Sequence, residues 1–258
     1  MNNNKRWKLP VLRQYKVRSG KVDAPFRCVH LSDLHCCLYG KHQKKLLDLI
    51  RMVKPDLICM TGDMLEPKFS KEAAGDLFSP LGEMYPCFYV TGNHEFNYKN
   101  YLGAKAYVRS FGICVLEGES RIVTLRSRTR VCIAGVDDPV NPRESWMAQL
   151  SRAALKTDPS VFSILLSHRP ERAQTYAMFP FDLVLTGHAH GGQWRIPGLV
   201  NGIYAPSQGF FPKYAGGRYE INGQTHINSR GLAYYVPVPR IFNPVEFGVI
   251  DVVPEDWK

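Results

Sequence analysis

The sequence of 258 residues has no long apolar run. Stretches such as Val161–Leu166, with a serine inside, fall far short of the roughly 18–20 apolar residues that a membrane span needs. Near the start, Pro10 breaks the apolar stretch Leu9–Leu12 and Arg13 follows it. No hydrophobic core of a secretory signal can be drawn there, and no Arg-Arg pair marks a twin-arginine signal. These absences predict a cytoplasmic protein. A C-x-x-C pair is also missing, which removes the usual ligands of a structural zinc or redox centre. The seven cysteines are an odd number, and Cys28, Cys59, Cys87, Cys114 and Cys132 sit in short apolar runs. They read as small core hydrophobes in a reducing compartment. Cys36-Cys37 reads as structural too, with sensitivity to oxidation as the alternative. Repeats and low-complexity tracts are absent, and 22% charged with 45% hydrophobic residues excludes wholesale disorder.

Acidic residues are missing from two stretches. Residues 1–21 hold Lys5, Arg6, Lys8, Arg13, Lys16, Arg18 and Lys21, and residues 121–130 hold Arg121, Arg126, Arg128 and Arg130. Of the formal net charge of +10 they carry +7 and +4, leaving −1 for the rest of the chain. The main reading is a solvated sheet edge whose charge resists aggregation. Nucleic acid, an anionic lipid surface or an acidic substrate are the partners such segments could meet.

What is present reads as alternating strands and helices. Residues 26–32 (FRCVHLS) and 57–61 (LICMT) are buried-type runs. Between them Leu46, Leu47, Ile50 and Val53 recur at helical spacing, with Lys44, Lys45 and Arg51 outside, and Pro55 closes the helix. A helix near 70–84 and the run 87–90 (CFYV) form a second unit, so the strands should be parallel with right-handed crossovers. Strand patterns at 112–116, 120–125 and 130–135, a helix near 145–155, and the runs Val161–Leu166 and Asp182–Leu185 follow. Residues 187–244 are dense in Gly, Pro, Asn and Tyr and read as short strands and loops over the sheet ends, before a last strand at 246–252. The expected fold is α/β, a two-sheet sandwich flanked by helices in a single domain over 1–258. Residues 1–10 are expected to be a flexible basic tail and 194–245 a loop-rich cap.

Polar clusters follow five of the buried runs. These are Asp33-x-His35, Gly62-Asp63, Gly92-Asn93-His94-Glu95, Ser167-His168, and Gly187-His188-Ala189-His190-Gly191-Gly192-Gln193. In an open α/β sheet the carboxyl ends of parallel strands gather at one crevice, where ligands bind. Two carboxylates, one amide oxygen and four imidazoles make a mixed O/N field suited to Mn, Fe, Co, Ni or Zn. It holds too much imidazole for Ca or Mg and lacks the thiolates of a structural zinc site. Seven donors suit two ions about 3.5–4 Å apart that share a carboxylate. The adjacent glycines, Gly62, Gly92 and Gly187, permit tight turns. His30, His42 and His226 lie outside the pattern and read as core, surface and loop histidines.

The order D-x-H, GD, GNHE, H, GHAHGGQ resembles the calcineurin-like metallophosphoesterase superfamily, and Ser229-Arg230-Gly231 and Pro239-Arg240-Ile241-Phe242 resemble its bacterial phosphoesterase or phosphohydrolase branch. The resemblance implies two divalent ions (Mn, Fe, Ni or Zn). Asp33, His35 and His190 would hold one, Asn93, His168 and His188 the other, and Asp63 would bridge them. His94 would face the substrate as the catalytic residue, donating a proton to the leaving oxygen or stabilising charge. Glu95 either orients His94 or is a solvated carboxylate. The implied reaction is hydrolysis of a phosphodiester, pyrophosphate or phosphomonoester by a metal-bridging hydroxide. The substrate would be small or lipid-linked, with peripheral contact to anionic membrane through residues 1–21. The alternatives are a nuclease of the same superfamily, for which the basic segments lack regularly interleaved aromatics, and a non-catalytic metal-binding scaffold. Tyr39, Asp137, Asp138, Arg195, Tyr204, Phe210, Phe211 and Tyr214 are candidates for substrate contact, although the aromatics at 204–214 read mainly as cover for the sheet edge.

Overall fold

Side chains alternate across a strand, so a strand buried on both faces reads as a continuous apolar run. Those runs form two six-stranded sheets in a computed structural model, which describes residues 9–234 and 239–257. The first sheet runs β1 (Val11–Ser19), β14 (Glu246–Pro254), β2 (Phe26–Leu31), β3 (Leu57–Thr61), β4 (Cys87–Val90), β5 (Cys114–Val115). The second runs β12 (Gly217–Ile221), β13 (Gln224–Asn228), β9 (Leu183–Thr186), β8 (Phe162–Leu166), β7 (Arg130–Gly135), β6 (Glu119–Thr124). Strands β2 to β5 are parallel, as are β7, β8, β9 and β13. A small hairpin, β10 (Tyr204–Ala205) with β11 (Gly209–Phe210), stands apart.

Alternate residues of the two sheets share one core. Cys28, Leu57, Cys59, Phe88 and Val90 from the first sheet meet Val131, Ile133, Phe162, Ile164, Leu166, Leu183 and Leu185 from the second. The intervening Val29, Leu31, Ile58, Met60 and Tyr89 pack beneath α1 (Lys44–Val53), α2 (Glu72–Met84) and α4 (Tyr101–Arg109), which follows the single turn α3 (Asn93–Phe96). Ala134, Leu165 and Val184 pack beneath α5 (Trp146–Leu155) and Tyr176 of α6 (Ala173–Tyr176). Each Val, Leu, Ile, Met or Phe among them contributes about 1.5–3 kcal/mol on burial, which holds the strand ends in fixed relative positions.

Three features differ from, or refine, the sequence reading. Of residues 194–245, expected to be short strands and loops over the sheet ends, 217–228 form a hairpin inside the second sheet, where β13 lies parallel to β9. His226, read as a loop residue, is therefore buried within β13. The basic segments fall on sheet edges: β1 and β6 are edge strands, and Arg121, Arg126, Arg128 and Arg130 are exposed. Arg13 pairs with Glu246 at 3.1 Å and Lys21 with Asp182 at 2.8 Å. Lys5, Arg6 and Lys8 lie outside the described residues. Among the described residues no helix is long and apolar enough to cross a membrane. Burial pushes the thiols of Cys36 up to about 11 and Cys87 up to about 12, which keeps both protonated at neutral pH.

Candidate metal centre

The seven candidate donors leave five strands of two sheets and arrive at one place. Asp33 and His35 follow β2, Asp63 follows β3, Asn93 opens α3 after β4, His168 follows β8, and His188 and His190 follow β9. Asp33, His35, Asp63, His188 and His190 have φ of 53°, 46°, 51°, 67° and 47°. The left-handed region costs a non-glycine residue roughly 1–2 kcal/mol, and such strain persists where the surroundings enforce it, commonly at functional sites. Hydrogen bonds between loops enforce it here. The Asp33 amide donates to the Gly62 carbonyl at 3.0 Å and the His35 amide to the Asp63 carbonyl at 2.9 Å. The His188 amide donates to both Asp33 oxygens at 3.1 Å, joining the two sheets through a carboxylate.

Two groups of donors result, Asp33 with His35 and His190, and Asp63 with His168 and His188; within each, the donor atoms lie within 4.8 Å of one another. Asp63 Oδ2 stands between them, 3.1 Å from His168 Nε2 and 3.7 Å from His35 Nε2. Asn93 Oδ1 and His35 Nε2 are buried without a hydrogen-bond partner. An orphaned buried polar atom costs about 1–3 kcal/mol, and a cation would recover it. Oxygen and imidazole donors in this mixture fit a borderline divalent ion.

The charges agree with that fit. Burial pushes the Asp33 carboxyl up. Burial acts the same way on Asp63, but the neighbouring His168, with His35 and His94, holds it well below the usual range. Burial would lower His168, yet Asp63 raises it to about 10. Without metal, a proton on His168 thus neutralises Asp63, and a bound cation would release it. His188 is pushed down to about 2 by burial, then by His168 and Arg169. His190 is held well below its ordinary value by burial, His35 and Arg240. Both are neutral, the form in which imidazole binds metal.

Residues 26–192, more than half of the chain, match the calcineurin-like phosphoesterase family model. The chain belongs to that family. Members of this metallophosphoesterase family use divalent metals. The chain is 31% identical to phosphodiesterase YaeI of Escherichia coli, over 81% of this chain and 76% of that protein. It is 27% identical to a metallophosphoesterase of Campylobacter jejuni over 96% of this chain, but spans only 65% of that relative. The NAD nucleotidase of Haemophilus influenzae shares the fold with a TM-score of 0.54 at 17% identity, over 81% of this chain and 45% of that one.

Around this metallophosphoesterase site the structure redistributes several roles. His94 is half-buried, its ring edge-to-face with His35 at 4.5 Å. Glu95 neither orients His94 nor meets solvent. It is buried and accepts from the amides of Gly92 at 2.7 Å, Asp63 at 2.9 Å and Leu65 at 3.0 Å. Among the adjacent glycines only Gly62, with φ 87°, serves a left-handed turn; Gly92 and Gly187 are needed for close approach. Tyr39, Asp137, Asp138 and Tyr214 are buried and structural, while Tyr204, Phe210 and Phe211 are exposed, the last two at 73% and 68%. Tyr39 donates its hydroxyl to the Leu232 carbonyl, and Asp137 receives Lys105, Thr91, Asn141 and Gln149. Sequence reasoning gave no role to Glu66 or Arg169, and took Arg240 only as part of the motif Pro239-Arg240-Ile241-Phe242. Arg169 Nη1 lies 2.9 Å from His188 Nε2, and Arg240 Nη2 lies 3.3 Å from His190 Nδ1. The sequence signal of the first two is proximity: Arg169 follows His168, and Glu66 is three residues past Asp63.

Proposed function

We propose that this chain is a binuclear metal-dependent phosphoesterase in which Asp33, His35 and His190 hold one divalent ion, Asn93, His168 and His188 hold the other, and Asp63 is shared. The observation that carries this reading is the position of Asp63 Oδ2, close to imidazoles of both donor groups. Two such ions supply Lewis acidity and a nucleophile at neutral pH by lowering the pKa of water.

The chain's own groups would do the rest. His94 Nε2, 4.0 Å from Asp63 Oδ2, sits at the rim of the donor cluster, where it can hold a proton for the leaving oxygen. Arg240, held by the carbonyl oxygens of Ala233 and Arg230, keeps its positive charge beside His190 for an anionic ester. Exposed Trp194, Leu199, Phe210, Phe211 and Phe242 on the segments beyond His190 favour a small or lipid-linked phosphodiester, pyrophosphate or monoester with an apolar part. Contact of residues 1–21 with anionic lipid is a weaker element, because Arg13, Arg18 and Lys21 already have partners within the chain.

The test is turnover by purified protein reconstituted with Mn, Fe, Ni or Zn, over monoesters, diesters, pyrophosphates and nucleic acid. The expected result is two ions per chain and metal-dependent cleavage of small esters. Bound metal without turnover of any ester would instead establish a scaffold, and preference for nucleic acid a nuclease.

A further inference from the structure

Beyond His190 the chain keeps large apolar side chains in water. Trp194, Leu199, Tyr204, Phe210, Phe211 and Phe242 are between 44% and 79% exposed. Hydrogen bonds gather their segments into one surface. The Arg195 amide donates to the Ile241 carbonyl at 3.0 Å, the Ile203 amide to the Trp194 carbonyl at 2.9 Å, and the Phe211 amide to the Ile203 carbonyl at 2.7 Å. Across the β10–β11 hairpin the rings of Tyr204 and Phe210 meet edge to face at 5.4 Å. Phe211 and Phe242 have φ of 53° and 48°. A left-handed backbone is costly for a bulky residue, and here it holds two rings that bury little within the chain. Strain of this kind is commonest at functional sites, and clustered exposed apolar side chains mark an interaction surface.

The charge around this surface has one sign. Residues 183–245 hold five cations, Arg195, Lys213, Arg218, Arg230 and Arg240, and one acid, Glu220. Glu220 is taken by Arg218 at 2.7 Å and Arg230 by Glu246 at 3.0 Å, whereas Arg195 and Lys213 have no carboxylate partner among the described residues. Edge strand β1 continues the surface, because Arg218 donates to the Lys16 carbonyl and the Val11 amide to the Val245 carbonyl at 2.8 Å. Exposed Lys16 adds another cation there, and exposed Leu9 and Val11 add apolar area. A second copy of the chain fits poorly, since pairing this face with itself would set cation against cation. Aromatic and aliphatic side chains among unpaired cations match instead the boundary of a bilayer with anionic headgroups. We propose that segments 194–211 and 241–242 dock this chain on an anionic lipid surface. The same segments adjoin the donor cluster. Ser207, in the β10–β11 turn, lies 2.7 Å from Arg169 Nη1, and Arg240, just before Ile241, lies 3.3 Å from His190 Nδ1. Docking therefore brings the metal centre to the headgroups, where a lipid-linked ester reaches it with its chains still in the bilayer. That last step rests on the phosphoesterase reading; the docking does not.

The experiment is co-sedimentation of the purified full chain with vesicles of phosphatidylcholine alone, or of phosphatidylcholine and phosphatidylglycerol in equal parts. Wild type should bind the mixed vesicles about tenfold more tightly than the neutral ones, and less so as salt rises. Phe210→Ser/Phe211→Asn removes both rings and places at 211 a residue that accepts the left-handed backbone. Its thermal midpoint should match wild type, while its affinity for mixed vesicles should fall about tenfold or more. Lys5→Gln/Arg6→Gln/Lys8→Gln asks whether the basic tail acts instead. Wild-type binding by the phenylalanine variant would overturn the proposal, as would a loss confined to the tail variant. Light scattering without lipid reports on a second copy, and a dimer that the phenylalanine variant dissolves would also refute it. Metal-loaded wild type is then given phospholipid diesters in the same vesicles. Binding without cleavage of any of them would uphold the docking and count against a lipid-linked substrate; cleavage without binding would do the reverse.

Discussion

Gly92 and Asp63 meet so closely that a Cβ on Gly92 would lie 2.2 Å from Asp63 Oδ1 and 2.7 Å from its amide nitrogen. The φ of Gly92 is −99°, open to any residue, so the constraint is space and not conformation. The same Oδ1 accepts the His94 amide at 2.8 Å, which docks the Gly-Asn-His-Glu turn onto the shared carboxylate. Gly92→Ala must therefore displace Asp63. Overpacking of this kind costs about 1–3 kcal/mol, and affinity for Mn²⁺ should fall more than tenfold. Calorimetric metal titration of the folded variant checks this; wild-type affinity would mean that the two loops can slide apart without disturbing the donors.

Asp63 and His94 should separate cleanly in their effects. Asp63→Ala removes an oxygen near both donor groups and leaves His168 without its counter-charge, so metal content should drop along with turnover. His94→Ala leaves both donor groups intact and removes only the proposed proton donor. A positioned acid is worth about 10²–10⁴ in rate, and kcat should fall by that factor at unchanged metal content. Metal analysis and kinetics on the two variants decide it, and full turnover by His94→Ala would sink the assigned part.

His30 lies inside β2, its Nε2 bonded to Thr61 Oγ1 at 2.8 Å and its Nδ1 without a partner. Burial pushes its pKa from 6.5 down to about 3. Between those values the unfolded chain binds a proton that the folded chain refuses, so stability rises with pH across the window and is lost as pH falls. The full loss is on the order of 5 kcal/mol. His226, pushed down to about 4 by burial, acts in the same sense. Replacing His30 by Leu should flatten the decline in urea midpoint between pH 6.5 and 4.5, even if the variant is less stable at pH 7. An equally steep decline in wild type and variant would assign acid sensitivity to other groups.

The central strands were legible because they are buried on both faces: 57–61 and 87–90 are read and observed at the same residues. The gathering of Asp33, His35, Asp63, Asn93, His94, His168, His188 and His190 was legible for a related reason, since parallel strands deliver their ends to one edge. β13 was not, because its polar-looking Gln224–Asn228 becomes a buried strand only through pairing with β9 about forty residues earlier. Glu66 and Asp138 were obscure on similar grounds. Their partners His35 and Arg169 are each 31 positions away, and no residue type or spacing marks the pairings. The sequence could suggest Glu95 beside His94; only the folded loops show that amides consume it and that Glu66 stands there instead.

Asp138, which sequence reasoning left among the substrate contacts, holds Arg169 from beneath the site. Arg169 donates Nε to Asp138 Oδ2 at 2.5 Å and Nη2 to Oδ1 at 2.9 Å, while Nη1 reaches Ser207 Oγ at 2.7 Å and His188 Nε2 at 2.9 Å. Asp138 is fully buried and Arg169 nearly so. Asp138→Ala would leave a buried guanidinium with only Glu171, 3.8 Å away, as counter-charge, and breaking a buried pair costs about 3–5 kcal/mol. The double variant Asp138→Ala/Arg169→Met removes the orphaned charge as well and should recover most of that loss, since an apolar pair often replaces a buried ion pair without penalty. Mn²⁺ affinity should recover with it to at least the wild-type value, because Arg169 donates to His188 Nε2 and a neutral ring that accepts there has no lone pair to spare for a cation. Denaturant unfolding and Mn²⁺ titration of both variants test the two halves separately. A deficit in affinity that persists at restored stability would show instead that the Arg169 contact is needed to keep His188 in place.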